Sequence, residues 1–203
     1  MSWLRWAERI QAIAQIGLTY TRDPYDAERY HQLRDLAVEI TASQSGMSAE
    51  QAREMIAVET GYATPKVDVR AAVFQDGKLL MVRERSDGCW ALPGGWADVG
   101  DSPGEMAARE VREESGYIVR PVKVLAVLDR SRHGLTPMIW SVYTIFLQCE
   151  LISGSPTDTL ETYGVGFFGR DELPPLSVQR NSPSQIARLF AHYDNPDLPT
   201  DFD

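Results

Sequence analysis

Glu110, Glu113 and Glu114 follow one another at spacings of three and one. On a helix, residues three and four apart share a face, so all three carboxylates converge there. Anions held that close repel unless something positive sits among them. Arg109 and Arg112 are the only bases nearby, and Met106, Ala107 and Val111 form an apolar opposite face. From the helix alone, a solvated acidic surface is a competing reading. The loop before it, Leu92-Pro93-Gly94-Gly95-Trp96-Ala97-Asp98-Val99-Gly100-Asp101-Ser102-Pro103-Gly104-Glu105, shifts the balance. Gly94 and Gly95 let backbone come close to a ligand, and the Gly95 carbonyl is a candidate oxygen donor. Oxygen-only sites select hard cations, Mg²⁺ or Mn²⁺. A cluster of such ions polarises a phosphoryl group and activates water, so the chemistry indicated is phosphate-ester or pyrophosphate hydrolysis.

The elements that must position these residues can also be read. Ser102 with Glu105 is a capping box, Pro103 suits the first helical turn and Gly116 suits the end, which predicts a helix from Pro103 to Ser115. From Lys66 the pattern alternates as in a strand: Val67, Val69, Ala71 and Val73 are apolar, and Asp76-Gly77 signals a hairpin turn. Leu79–Arg83, Leu125–Leu128, Ile139–Leu151 and Val165–Phe168 read as further strands, and Ser184–Tyr193 as a closing helix capped by Ser182. The polar, proline-bearing tail from Asn195 to Asp203 is expected to be loose.

Residues 1–64 read as a separate helical domain, and residues 65–203 as a mixed α/β domain. In the first helix Trp3, Trp6, Ile10, Ile13 and Tyr20 follow a three-and-four spacing, with Gly17 at the missing step. The helices are expected to bury one another or to cover a neighbour, and the two Trp at the start, Trp3 and Trp6, could instead form a dimer seam. Tyr30, Leu33, Leu36, Ala37 and Ile40 mark a second helix, and Ser48-Ala49-Glu50-Gln51 caps a third that Gly61 ends.

Other side chains are candidates for substrate contact. Arg70, in mid-strand, either meets a phosphate or sugar or pairs with Asp68 or Glu84, and Arg83 is similar. Trp96 either stacks on a base or packs in the core. Arg130, Arg132 and His133 form a basic loop that could meet phosphates or simply be solvated, and Arg180 is a further cation within reach.

With 203 residues and 43% hydrophobic content, the chain can build a real core. No segment is long and apolar enough to span a bilayer, and the N-terminus lacks the pattern of a signal peptide. Cys89 and Cys149 form no disulfide framework, so a reducing cytoplasm is expected. The net charge of −9 argues against a stable nucleic-acid partner, and implies that an anionic substrate needs metal.

The segment from Gly95 to Tyr117 resembles the Nudix hydrolase signature: glycine, five residues, glutamate, seven residues, then arginine, glutamate, an aliphatic residue, any residue, two glutamates, any residue, glycine and a bulky apolar residue. Here it reads Gly95, Asp101, then Arg109-Glu110-Val111-Arg112-Glu113-Glu114-Ser115-Gly116-Tyr117, with Asp101 in place of the usual glutamate. The resemblance runs from Lys66 to Leu176 and implies a mixed sheet sandwiched between helices. It implies hydrolysis of a nucleoside diphosphate linked to a second moiety, with Glu110, Glu113 and Glu114 holding Mg²⁺ or Mn²⁺ and the Gly95 carbonyl as a further ligand. Arg109 would orient the carboxylates, and Glu161, in a loop before the last strand, would serve as base or extra ligand. The helical extension resembles that of bacterial Nudix proteins linked to CDP-choline or ADP-ribose pyrophosphatase activity and to dimers. CDP-choline is the expected substrate, ADP-ribose the second, and a homodimer the expected state. Housecleaning of oxidised nucleoside triphosphates and non-catalytic nucleotide sensing are the rival functions.

Overall fold

In strand β1 (Lys66–Gln75), Val69, Ala71 and Val73 belong to one buried cluster and Ala72 to another. A strand of period two that is apolar on both faces must be covered on both. The computed structural model, which describes residues 2–57, 59–136 and 138–203, shows what covers it. One face carries Met106, Ala107 and Val111 of helix α4 (Pro103–Ser115). The other carries Ile186, Leu189 and Phe190 of helix α5 (Pro183–Asp194).

The mixed sheet runs β3-β2-β1-β6-β5-β8, with β4 added to β1 and β7 added to β2. Its strands are β1, β2 (Lys78–Glu84), β3 (Trp90–Ala91), β4 (Gly94–Trp96), β5 (Tyr117–Asp129), β6 (Val142–Gly154), β7 (Thr162–Phe168) and β8 (Asp201–Phe202). The pairs β1–β6 and β5–β8 are parallel, and the others are antiparallel. Asp76 and Gly77 turn the β1–β2 hairpin with φ of 51° and 74°, the two positive values that a type I′ turn needs.

Three expectations about the second unit change. Strand β5 is far longer than Leu125–Leu128, and it accommodates Pro121 by shifting register on either side of it. Strand β6 begins at Val142, because Ile139 packs with the helical unit instead. The tail is ordered: β8 pairs with β5, Thr200 donates to the Val124 carbonyl at 2.8 Å, and Lys123 donates to the carbonyls of Pro196 and Leu198. Backbone pairing at an open sheet edge outweighs the polar composition that suggested looseness.

The chain divides into two compact units, Met1–Pro65 with Pro137–Ser141, and Lys66–Thr136 with Val142–Asp203. The first contains α1 (Ser2–Tyr20), α2 (Pro24–Ser45) and α3 (Ala49–Ala57), and Val58, within the third predicted helix, lies outside the described residues. Its core is Ala37, Val38, Ala52, Ile56 and Ile139. A Cβ at Gly17 would lie 2.3 Å from the Tyr30 ring, so the glycine is there for close helix approach. The anticipated stripe of α1 is not its buried face: Ala7, Gln11, Ala14 and Gln15 are buried, whereas Trp6, Ile13 and Tyr20 are more than half exposed. Among the described residues, no helix is long and apolar enough to cross a membrane.

Candidate active site

Helix α4 is fixed at both ends. The Ser102 hydroxyl accepts from the Glu105 N–H while the Glu105 carboxylate accepts from the Ser102 N–H. Gly116 closes it in the left-handed conformation, its N–H donating to the Arg112 carbonyl. With Met106, Ala107 and Val111 buried, the rotation of the helix is set, and Glu110, Glu113 and Glu114 turn to one wall of a cavity of about 840 Å³. That volume suits a nucleotide-sized ligand.

Glu114 is buried, and one carboxylate oxygen accepts from the Gly94 N–H at 2.9 Å. Burial dominates its protonation and, despite the pull of Arg70 and the Gly94 N–H, pushes its pKa up to about 8. Burial likewise raises Glu110, against Arg109, with help from Glu113 and Glu161. Arg109 threads the acids together. It lies 2.6 Å from Asp98, 3.1 Å from Asp101, 3.6 Å from Glu110 and 3.7 Å from Glu113. Asp101 therefore shares the grip on Arg109 with Asp98.

Strand β4 brings the glycine pair to this wall. Gly94 has φ of 146°, and a Cβ there would meet the Val69 carbonyl oxygen at 2.0 Å, so no other residue fits. A Cβ on Gly95 would be 3.5 Å from the Glu110 carboxylate, which places that backbone beside the acids. The loop before β7 is tied to α4 by the Thr162 hydroxyl, which donates to the Glu114 carbonyl at 2.6 Å. This anchoring brings Asp158, Leu160 and Glu161 to the cavity.

The cavity also carries arginines. Arg70 is buried and grips Asp68 through two bonds of 3.0 and 2.8 Å, while its third nitrogen donates to the Leu92 carbonyl. Burial alone would lower its pKa, but Asp68 holds it above the ordinary value. Its donors are thus engaged in a structural pair, the alternative to a phosphate contact. Arg180 lies 2.8 Å from Glu84, a buried acid whose pKa burial raises against Arg180 and Arg70. Arg130, also buried, has no carboxylate within salt-bridge distance among the described residues.

Gly95, Trp96, Arg70, Arg109, Glu110, Glu113, Glu114, Arg130 and Glu161 all line this one cavity. Arg83 does not. It donates to the Gly88 carbonyl and lies over the Tyr163 ring, because alternation along β2 gives the cavity side to Glu84. Of the basic loop only Arg130 faces the cavity, whereas Arg132 pairs with Asp129 and His133 with Asp203. Asp68, Glu84, Asp158 and Gln179 also line it; the sequence offered Asp68 and Glu84 only as ion-pair partners of Arg70, and Asp158 and Gln179 not at all. A signal for the first two existed: Asp68 and Arg70 are two apart on a strand, and Glu84 ends another.

The donor set fits an oxygen-preferring divalent cation. Three glutamates share one wall with a glycine backbone, and two of those carboxylates are raised in pKa by burial. Among the described residues no group of three or more acids or histidines is drawn into a ligating cluster, and Arg109 stands between Glu110 and Glu113.

Comparison with known proteins agrees with this geometry. Residues 64–189 match the NUDIX domain family, and residues 1–56 match the UDP-X-like, N-terminal oligomerisation domain family. The chain is 45% identical, over 99% of its length and 97% of the relative's, to a putative ADP-ribose pyrophosphatase of Bacillus subtilis (strain 168). A crystal structure of a UDP-X diphosphatase aligns over 100% of this chain and 98% of its own, with a TM-score of 0.66 and 35% identity. That of an ADP-ribose pyrophosphatase from Streptococcus suis 89-1591 aligns over 69% of this chain and 100% of its own, with a TM-score of 0.64 and 40% identity. A capped helix with three glutamates on one cavity wall, a glycine pair beside it and relatives of matching length lead to one conclusion: the chain belongs to the Nudix hydrolases, as a pyrophosphohydrolase with a UDP-X-like N-terminal domain.

Proposed function

We propose that the chain hydrolyses the pyrophosphate bond of a nucleoside diphosphate linked to a second group, releasing a nucleoside monophosphate and the phosphorylated partner. The observation that carries this reading is the acidic wall of Glu110, Glu113 and Glu114 facing the cavity beside Gly95. These side chains and the Gly95 carbonyl would hold Mg²⁺, or Mn²⁺. The bound cations supply charge neutralisation at the phosphoryl oxygens and lower the pKa of water. Arg109 keeps Glu110 and Glu113 at a fixed spacing, and Asp98 with Asp101 keeps Arg109 in place. Glu161, exposed at the loop edge yet near enough to raise Glu110, is placed to accept a proton from water. Trp96, half exposed on the lining, offers a face on which a base can stack.

The names of the relatives favour ADP-ribose and UDP-linked compounds over CDP-choline as substrates. The enzyme works in the cytoplasm as a homodimer formed through its N-terminal unit, whose matching family is described by oligomerisation. A hydrolysis screen over ADP-ribose, UDP-sugars, CDP-choline and nucleoside triphosphates, with Mg²⁺ or Mn²⁺ and with chelator, tests the reading. Monophosphate products are expected, whereas pyrophosphate release would mean triphosphate housecleaning and no turnover would mean a sensor. Glu113→Gln and Glu114→Gln are each expected to reduce kcat by about a hundredfold or more. Unchanged metal-dependent turnover in either variant would refute the metal-site assignment.

A further inference from the structure

Among the described residues, Arg130 is the cavity arginine that no carboxylate pairs. It is 91% buried, since only 9% of its surface is exposed. Arg70 has Asp68 and Arg180 has Glu84, but among the described residues the Arg130 guanidinium makes one hydrogen bond, Nη2–H to the Thr136 carbonyl at 3.2 Å. Its Nε–H is buried without a partner among the described residues. Burial lowers its pKa, with Asp68 opposing and Arg70 and Arg180 adding to the effect, so three guanidiniums share this part of the cavity. A buried charge left unpaired destabilises a fold unless a ligand completes it.

What aims Arg130 is the tail. The residue opens a single 3₁₀ turn, Arg130–Arg132, at the end of β5. Asp129 caps that turn, accepting from the Ser131 N–H at 2.9 Å. Asp203, just beyond β8, accepts from the Asp129 N–H at 2.6 Å and lies 3.0 Å from His133 Nε2. One carboxylate thus brackets both ends of the turn. The β5–β8 pairing, Ala126 with Asp201 and Val127 with Phe202, brings it there, and Arg188 and His192 hold Asp201 at 3.0 and 3.1 Å.

We infer that Arg130 is a receptor for a phosphoryl oxygen of the diphosphate substrate and that Asp203 is its positioning residue, acting through the turn. The inference rests on the proposed diphosphate chemistry of the cavity, and names the tail strand as part of the machinery of that site.

The test is a double-mutant cycle on the full chain, read as the dissociation constant for inorganic pyrophosphate with Mg²⁺ by calorimetry. Arg130→Gln is expected to weaken binding about tenfold or more, the scale of one charge-assisted hydrogen bond. Asp203→Ala is expected to weaken it several-fold, and Asp203→Asn to restore most of that, because an amide oxygen still accepts from the Asp129 N–H. In the Arg130→Gln background Asp203→Ala is expected to add nothing, whereas a merely structural tail would give additive losses. Additive losses, or unaltered binding in Arg130→Gln, overturn the inference. Should Asp203→Ala fail to fold, His133→Gln, which removes the other contact of the Asp203 carboxylate, takes its place in the cycle. Pyrophosphate binding without hydrolysis of any diphosphate substrate would instead count against the proposed function alone.

Discussion

Glu114 shows how one side chain carries both stability and chemistry. Its carboxyl has an ordinary pKa of 4.5, and in the folded, metal-free protein burial lifts it to about 8. The folded chain therefore holds this proton more tightly than the unfolded one. Its contribution to stability is complete below the unfolded value and is lost as pH rises from there through about 8. A cation needs the carboxylate, so Mg²⁺ binding at pH 7 is expected to release up to about one proton. Calorimetry in buffers of different ionisation enthalpy measures this release, which is expected to vanish by about pH 9 and in Glu114→Gln. Release that persists unchanged in that variant would place the titration elsewhere. The three glutamates were legible in the sequence because helix periodicity alone puts them together. Asp68 and Glu84 were less so: strand alternation gives the face of a residue, but burial of a charge depends on what later segments lay over it.

At the scale of elements, α4 was readable to the residue, since caps are local chemistry written in adjacent side chains. Strands β5 and β8 were not, because edge pairing is decided by a partner far away in sequence. The two glycines of β4 separate geometry from function. Gly94→Ala is expected to cost roughly 1–3 kcal/mol from backbone strain alone, with the clash on Val69 adding to it. Gly95→Ala meets only ordinary contact, so it is expected to fold normally, and its methyl, 3.5 Å from the Glu110 carboxylate, crowds the proposed cation site and is expected to lower metal-dependent activity. Thermal melts set beside kcat for the two variants check this; similar melting points would show that Gly94 is not structural.

For the whole molecule, the net charge is −9, no helix among the described residues is long and apolar enough to cross a membrane, and two families match the chain in succession. On α1 the two readings of the apolar spacing part: Trp6 and Ile13 stand 57% and 54% exposed while glutamines and alanines are buried, so burial of that stripe within the unit fails and the seam reading stays open. Small residues permit close helix approach, and periodicity of large ones cannot reveal that. An exposed stripe of this kind is what a subunit interface requires. If the proposed homodimer forms through this stripe, Trp6→Glu with Ile13→Glu is expected to give a monomer by light scattering while leaving hydrolysis per chain intact, since every residue lining the cavity lies between Asp68 and Arg180. A variant that stays dimeric would move the interface off α1. The helical unit has one more property, which concerns synthesis rather than function. Its core includes Ile139, supplied by the segment Pro137–Ser141 that interrupts the second unit. When the first 65 residues have left the ribosome, that core still lacks a member, and at about 5–20 residues per second the wait lasts several seconds. A nascent chain stalled before Ile139 is expected to leave Ala37, Val38 and Ile56 within reach of chaperones, although three helices have already been made.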